Sequence, residues 1–135
     1  MRTLPLLDEL ETALTSGSNT RRIEMLTRIT DLFVVGAPRL SEDQIGVFDD
    51  VMVRLVQTIE AKARAKLSNR LAPIGNAPAK IVNMLAFDDD IEVAAPVLRH
   101  SERLGERELL ANAASKSQQH LAAIAQRAAL SEAIT

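Results

Sequence analysis

Apolar residues recur along this chain at helical spacing, in short blocks separated by glycine, proline and serine. Leu6, Leu7, Leu10 and Leu14 line one face of a first short helix, with Gly17 in the position of a C-terminal cap. A second helix is predicted over about 20–35. Ile23, Leu26, Ile29, Leu32 and Phe33 face inward and Arg21, Arg22 and Arg28 outward, until a left-handed Gly36 and then Pro38 end it. Ser41-Glu42-Asp43-Gln44 is a capping box, which makes it the clearest helix start in the chain. Ile45, Phe48, Met52, Leu55 and Ile59 follow it at alternating spacings of three and four, relaxing through Ala63 and Leu67 to Pro73. The pattern predicts one long helix over about 42–70, with an apolar stripe longer than a neighbouring hairpin covers.

Beyond the turn Pro73-Ile74-Gly75-Asn76 the pattern repeats. Ile81, Val82, Leu85 and Ala86 recur 28 positions later as Leu109, Leu110, Ala113 and Ala114. Val93, Ala94, Val97 and Leu98 recur 27 positions later as His120, Leu121, Ile124 and Ala125. Helices are predicted at about 78–87, 90–101, 106–115 and 117–128. Small and apolar residues in matching places at this period mark stacked helical hairpins. Pro96 lies inside the second of these helices, where it removes the bond to the Glu92 carbonyl and should bend it. Ser131-Glu132-Ala133-Ile134 reads as the start of a further unit, so the chain is expected to be a shortened form of a longer one. The expected fold is all-α: an N-terminal helical region over 1–72 followed by HEAT-like (α-solenoid) hairpin repeats over 73–135, in one continuous domain.

Composition narrows this picture. The chain has 135 residues, enough to bury roughly two thirds of its unfolded surface. With 47% apolar and 25% charged residues its balance is globular rather than disordered. It has three Phe, no Trp and no Tyr, so the core is aliphatic and rich in alanine, which favours closely packed helices. The absence of Cys excludes disulfides, thiolate metal sites and a cysteine nucleophile. No signal peptide and no apolar run near 18 residues is present, which points to the cytoplasm and away from a membrane. A net charge of −2 gives no general electrostatic reason to bind nucleic acid.

Residues 85–134 resemble a bacterial family catalogued as domain of unknown function 2336, common in alphaproteobacteria. The matching positions are Leu85-Ala86, Asp88 to Asp90, Ile91, Val93-Ala94, Pro96-Val97-Leu98, Ser101, Leu104, Leu109-Leu110, Ser117-Gln118, His120-Leu121, Ile124-Ala125, Arg127 and Leu130-Ser131. Similarity is looser over 21–72, at Leu32-Phe33 and the Ser41 capping segment. The resemblance implies an all-helical, HEAT-like fold and carries no established activity.

Candidate chemistry is sparse. Asp88-Asp89-Asp90 with Glu92 is the one acidic cluster that invites a divalent cation, but it immediately precedes a helix, where carboxylates cap free N–H groups. His100 and His120 are the two histidines, and His120, at a helix start in the place of Val93, is the better functional candidate. Two histidines without cysteine argue against a dedicated zinc site. No glycine-rich phosphate loop, G-x-S-x-G elbow or H-E-x-x-H motif occurs. Lys62, Arg64, Lys66, Arg70 and Lys80 form the one basic concentration. The function expected from this is a non-enzymatic, cofactor-free and metal-free scaffold for a protein partner, with a regulatory role and homodimerisation as added expectations. Nucleic-acid binding is the alternative. Asp88, Asp89, Asp90, Arg99, His120 and Arg127 are the candidate interaction residues.

Overall fold

The computed structural model describes residues 4–15 and 17–134, with side chains from Asp8 to Arg127 except at residue 16. Among the described residues the chain is all-helical: α1 Leu4–Thr15, α2 Asn19–Gly36, a 3-10 turn Ala37–Arg39, α3 Glu42–Leu55, α4 Ala61–Leu71, α5 Ala79–Ala86, α6 Ile91–His100, α7 Glu106–Ser115 and α8 Gln118–Ile134.

The first two helices follow the sequence pattern with four differences. Leu10, Ala13 and Leu14 of α1 lie on the core, while the side chains of Leu6 and Leu7 fall outside the described residues. Gly17 is not left-handed. It is required by close approach, since a Cβ there would stand 2.6 Å from the Cα and 2.8 Å from the carbonyl oxygen of Ala13. Gly36 likewise keeps a negative φ of −90°, and the chain leaves α2 through the 3-10 turn that Pro38 favours. On α2, Met25, Leu26, Ile29 and Phe33 are buried, but Leu32 is 52% exposed because the buried stripe runs through Thr30 instead. Arg22 turns inward, donating to the carbonyls of Arg54 (2.9 Å) and Leu14 (3.3 Å) and so closing the ends of α3 and α1.

The capping box is present as read: the Gln44 amide donates to Ser41 Oγ at 3.2 Å, and the Ser41 amide to Gln44 Oε1 at 2.9 Å. The single long helix over 42–70 is not. The chain breaks after Leu55 and restarts at Ala61. Three β-branched residues, Val56, Thr58 and Ile59, fall in this stretch and lose side-chain freedom in a helix. The open ends of α3 are closed locally, Val56 N–H on the Met52 carbonyl (3.1 Å) and the Gln57 side chain on that of Val53 (2.8 Å). The break lets Ile59 turn in to 2% exposure and gives α4 its own direction. Ile45, Met52, Leu55, Ile59, Ala63 and Leu67 are all buried within the chain. Phe48, half-buried, packs on Phe33, so the stripe needs no second copy to cover it.

The last four helices stand where the repeat pattern puts them, except that α8 runs unbroken through Ser131 to Ile134 and no new unit begins there. α6 also continues through Pro96, which is buried. Packing runs in rows: α4 lies against α6 and α6 against α8, while α3 lies against α5. α5 packs on α6, and α7 on α8. α6 is the centre of this arrangement, with every residue from Val93 to Leu98 buried.

The start of α5 is held from outside. Pro78 occupies the N-cap and has no side-chain acceptor, so α5 makes no cap of its own. The Asp49 carboxylate, 5% exposed on α3, takes two of its open amides: Lys80 N–H at 2.9 Å and Ile81 N–H at 2.8 Å.

Candidate functional site

The six candidate residues fall into two groups at opposite ends of α6. Asp88, Asp89, Asp90 and His120 gather where the α5–α6 turn meets the start of α8. Arg99 and Arg127 lie at the other end, where α8 passes the last turn of α6.

Each aspartate has a separate partner. Asp88 receives the Arg64 guanidinium from α4, Nε at 2.8 Å and Nη2 at 3.4 Å, and accepts the Asp90 amide at 2.9 Å. Asp90 caps α6 by accepting the Glu92 amide at 3.0 Å. Asp89, whose side chain is 96% exposed, pairs with Lys116 in the α7–α8 turn. A hydrogen bond from Lys116, then its charge, holds the Asp89 carboxyl below the usual carboxylate range. That contribution is present above the ordinary carboxylate pKa and is lost as pH falls through the lowered one, and solvent screening keeps it small. The three carboxylates thus point to three different places, and no group of His, Asp and Glu suited to a metal ion occurs among the described residues.

His120 is 1% exposed and bridges two layers. Its Nε2 stands 2.8 Å from the Asp88 carbonyl oxygen, which can only accept, so Nε2 carries the proton. Nδ1 then accepts from the Ser117 hydroxyl at 2.6 Å, and Ser117 Oγ in turn receives the His120 amide at 3.3 Å. Ser117 thus caps the start of α8, and its hydroxyl also meets the ring of the residue whose amide it accepts. A serine hydroxyl on an imidazole has the outline of a nucleophile and base, but the far ring nitrogen rests on a neutral carbonyl where a carboxylate would stabilise an imidazolium. The geometry is that of a joint between layers.

At the other end, Arg127 donates to the carbonyls of Leu98 (2.7 Å), Val97 (3.4 Å) and Ser101 around the end of α6, where the Val97 carbonyl also accepts the Ser101 amide. Burial lowers the Arg127 pKa from its ordinary value, with Glu102 opposing. Arg99 donates to Gln126. His100 is exposed at the end of α6.

Sequence reasoning passed over Arg64, Asn112 and Lys116. Asn112, fully buried, donates to the Ala86 carbonyl at 2.7 Å. A polar residue on the inward face of the α7 pattern was the available signal. Arg64 was counted in a basic patch that the fold takes apart: Arg64 goes to Asp88, Arg70 to Asp31 (2.6 Å) and Lys80 to Asp50 (2.9 Å). One stability prediction arises here. Asp90→Ala should cost about 1 kcal/mol through loss of the cap, whereas Asp89→Ala, whose carboxylate meets only Lys116, should leave the melting temperature close to wild type. Thermal melts of both variants check this, and magnesium or calcium should move neither.

Residues 93–135 match the model of a family described as an uncharacterised protein conserved in bacteria (DUF2336). This stretch is similar to DUF2336. It starts at Val93 inside α6 and takes in α7 and α8, so it contains His120, Arg99 and Arg127 but not the three aspartates of the α5–α6 turn that His120 meets at Asp88. Comparison with curated proteins and comparison with solved structures each gave no match. Among the described residues no helix is long and apolar enough to cross a membrane.

Proposed function

We propose that this chain is a non-enzymatic protein-interaction module of HEAT-like helical hairpins, acting in the cytoplasm, whose α7–α8 face receives a further helical layer from a protein partner or a second copy. One observation carries the reading. Val82, Ala86, Ala94 and Leu98 are buried, and their counterparts in the next unit, Leu110, Ala114, Leu121 and Ala125, are exposed. Leu110 is 64% exposed and Leu121 43%. A position buried in one unit stands open in the next, as at the outer face of a stack. The α4, α6, α8 row supports the same reading.

Nucleic-acid binding is the weaker reading, because three of the five clustered cations are neutralised by carboxylates of this chain. Light scattering over a dilution series to about 100 µM, a concentration at which even a ~10 µM dimer is mostly formed, tests the second-copy form. Wild type is expected to associate, and Leu110→Glu with Leu121→Glu to be monomeric at unchanged melting temperature. A monomeric wild type would leave a partner protein as the only occupant. If cross-linking with mass spectrometry in a bacterial lysate then found no helical protein attached to α7 or α8, the reading would fail.

A further inference from the structure

A second surface lies well away in sequence from α7 and α8, between α2 and α4. The two helices touch along only part of their length and leave a groove of about 330 Å³. Leu26, Ala63 and Leu67 form its floor, all nearly buried. The walls differ in chemistry. On the α2 side stand Ile23, Thr27 and Thr30, and both threonine hydroxyls donate to carbonyls of their own helix, at 3.0 and 2.7 Å. On the α4 side stand Lys62, Lys66 and Arg70, four residues apart along one helix face, in a row spanning roughly 12 Å. Arg70 is paired with Asp31, whereas Lys62 and Lys66 make no ion pair among the described residues. Glu60 closes the row at the start of α4.

We propose that this groove binds an acidic amphipathic helix of a partner protein, its apolar stripe on Leu26, Ala63 and Leu67 and its carboxylates along Lys62 and Lys66. Charge complementarity selects this occupant. The cations are spaced at the repeat of a helix, so carboxylates four residues apart on a partner helix meet them in register. The floor is aliphatic and no aromatic residue lines the groove, which leaves nothing for a nucleobase to stack on. The proposal rests on the interaction reading above but uses a different surface, so the two fail separately.

The test uses the whole chain, labelled with nitrogen-15, and a capped synthetic peptide of about 15 residues made of Leu, Ala and Glu, with Glu at every fourth position beside a Leu stripe. Saturable amide shifts confined to 23–30 and 60–70 are expected. Lys62→Glu with Lys66→Glu should weaken binding roughly tenfold or more, Lys62→Arg with Lys66→Arg should retain it, and a glutamine-for-glutamate peptide should bind as weakly as the reversed protein. Lys62→Gln with Lys66→Gln serves if the reversed protein does not fold. Binding indifferent to these changes overturns the proposal. So does a stronger response at the same amides to anionic phospholipid vesicles or to a single-stranded oligonucleotide. Loss of groove binding with α7–α8 association intact refutes the groove alone.

Discussion

Leu98→Ala should cost this protein about 2–5 kcal/mol of folding free energy, read by chemical denaturation. Leu98 is fully buried on α6, the helix that α4, α5 and α8 surround. The cost combines lost transfer energy with a cavity, and a helix packed on three sides has little room to collapse into it. Leu121→Ala is the matched control. On the repeat pattern alone both leucines read as core residues with equal costs, but Leu121 is 43% exposed and its truncation should cost well under 1 kcal/mol. A loss below about 1 kcal/mol at Leu98 would remove α6 from the centre of the fold.

The second large effect is expected at Asp49. Asp49→Ala strands two amides at the start of α5 in a site with little access to water, which should cost about 2–3 kcal/mol. Asp49→Asn keeps one acceptor and should fall between. Hydrogen exchange gives the specific readout: the amides of Lys80 and Ile81 should lose protection in Asp49→Ala well beyond the general loss. Asp50→Ala, whose carboxylate meets only the exposed Lys80 ammonium, should leave both amides protected. Equal exchange in the two variants would refute the cap.

Helix identity was legible in this sequence wherever a local rule decided it. The Ser41 capping box, the positions of α5, α6 and α7, and the inward faces of α5 and α6 all follow from spacing and caps within a few residues. The break at 56–60 was not legible, because no glycine or proline marks it. Burial of Ile59 and the packing of α4 on α6 decide it, and both depend on residues far along the chain. Burial at α7 and α8 failed to follow the repeat for a similar reason. Sequence similarity reports what a position resembles, and exposure depends on whether a neighbour is there to cover it. Of the three aspartates read as helix caps, Asp90 caps α6 and Asp88 accepts the Asp90 amide, whereas Asp89 turns to Lys116, 27 residues away. Asp88 and His120 proved to be partners through a contact 32 residues apart that no local pattern encodes.

Several helix ends in this protein are finished by someone else's side chain. Asp49 of α3 completes the start of α5, Asn112 of α7 takes a carbonyl at the end of α5, and Arg127 of α8 takes those at the end of α6. None of these groups belongs to the helix it completes, so a hairpin lifted out of its row would lose its terminal bonds along with its apolar cover. Separate hairpins should therefore not persist as folded fragments. Under load, as when the chain is drawn between two tethers, the row should give way as a zipper from an outer layer inward rather than shed an inner one.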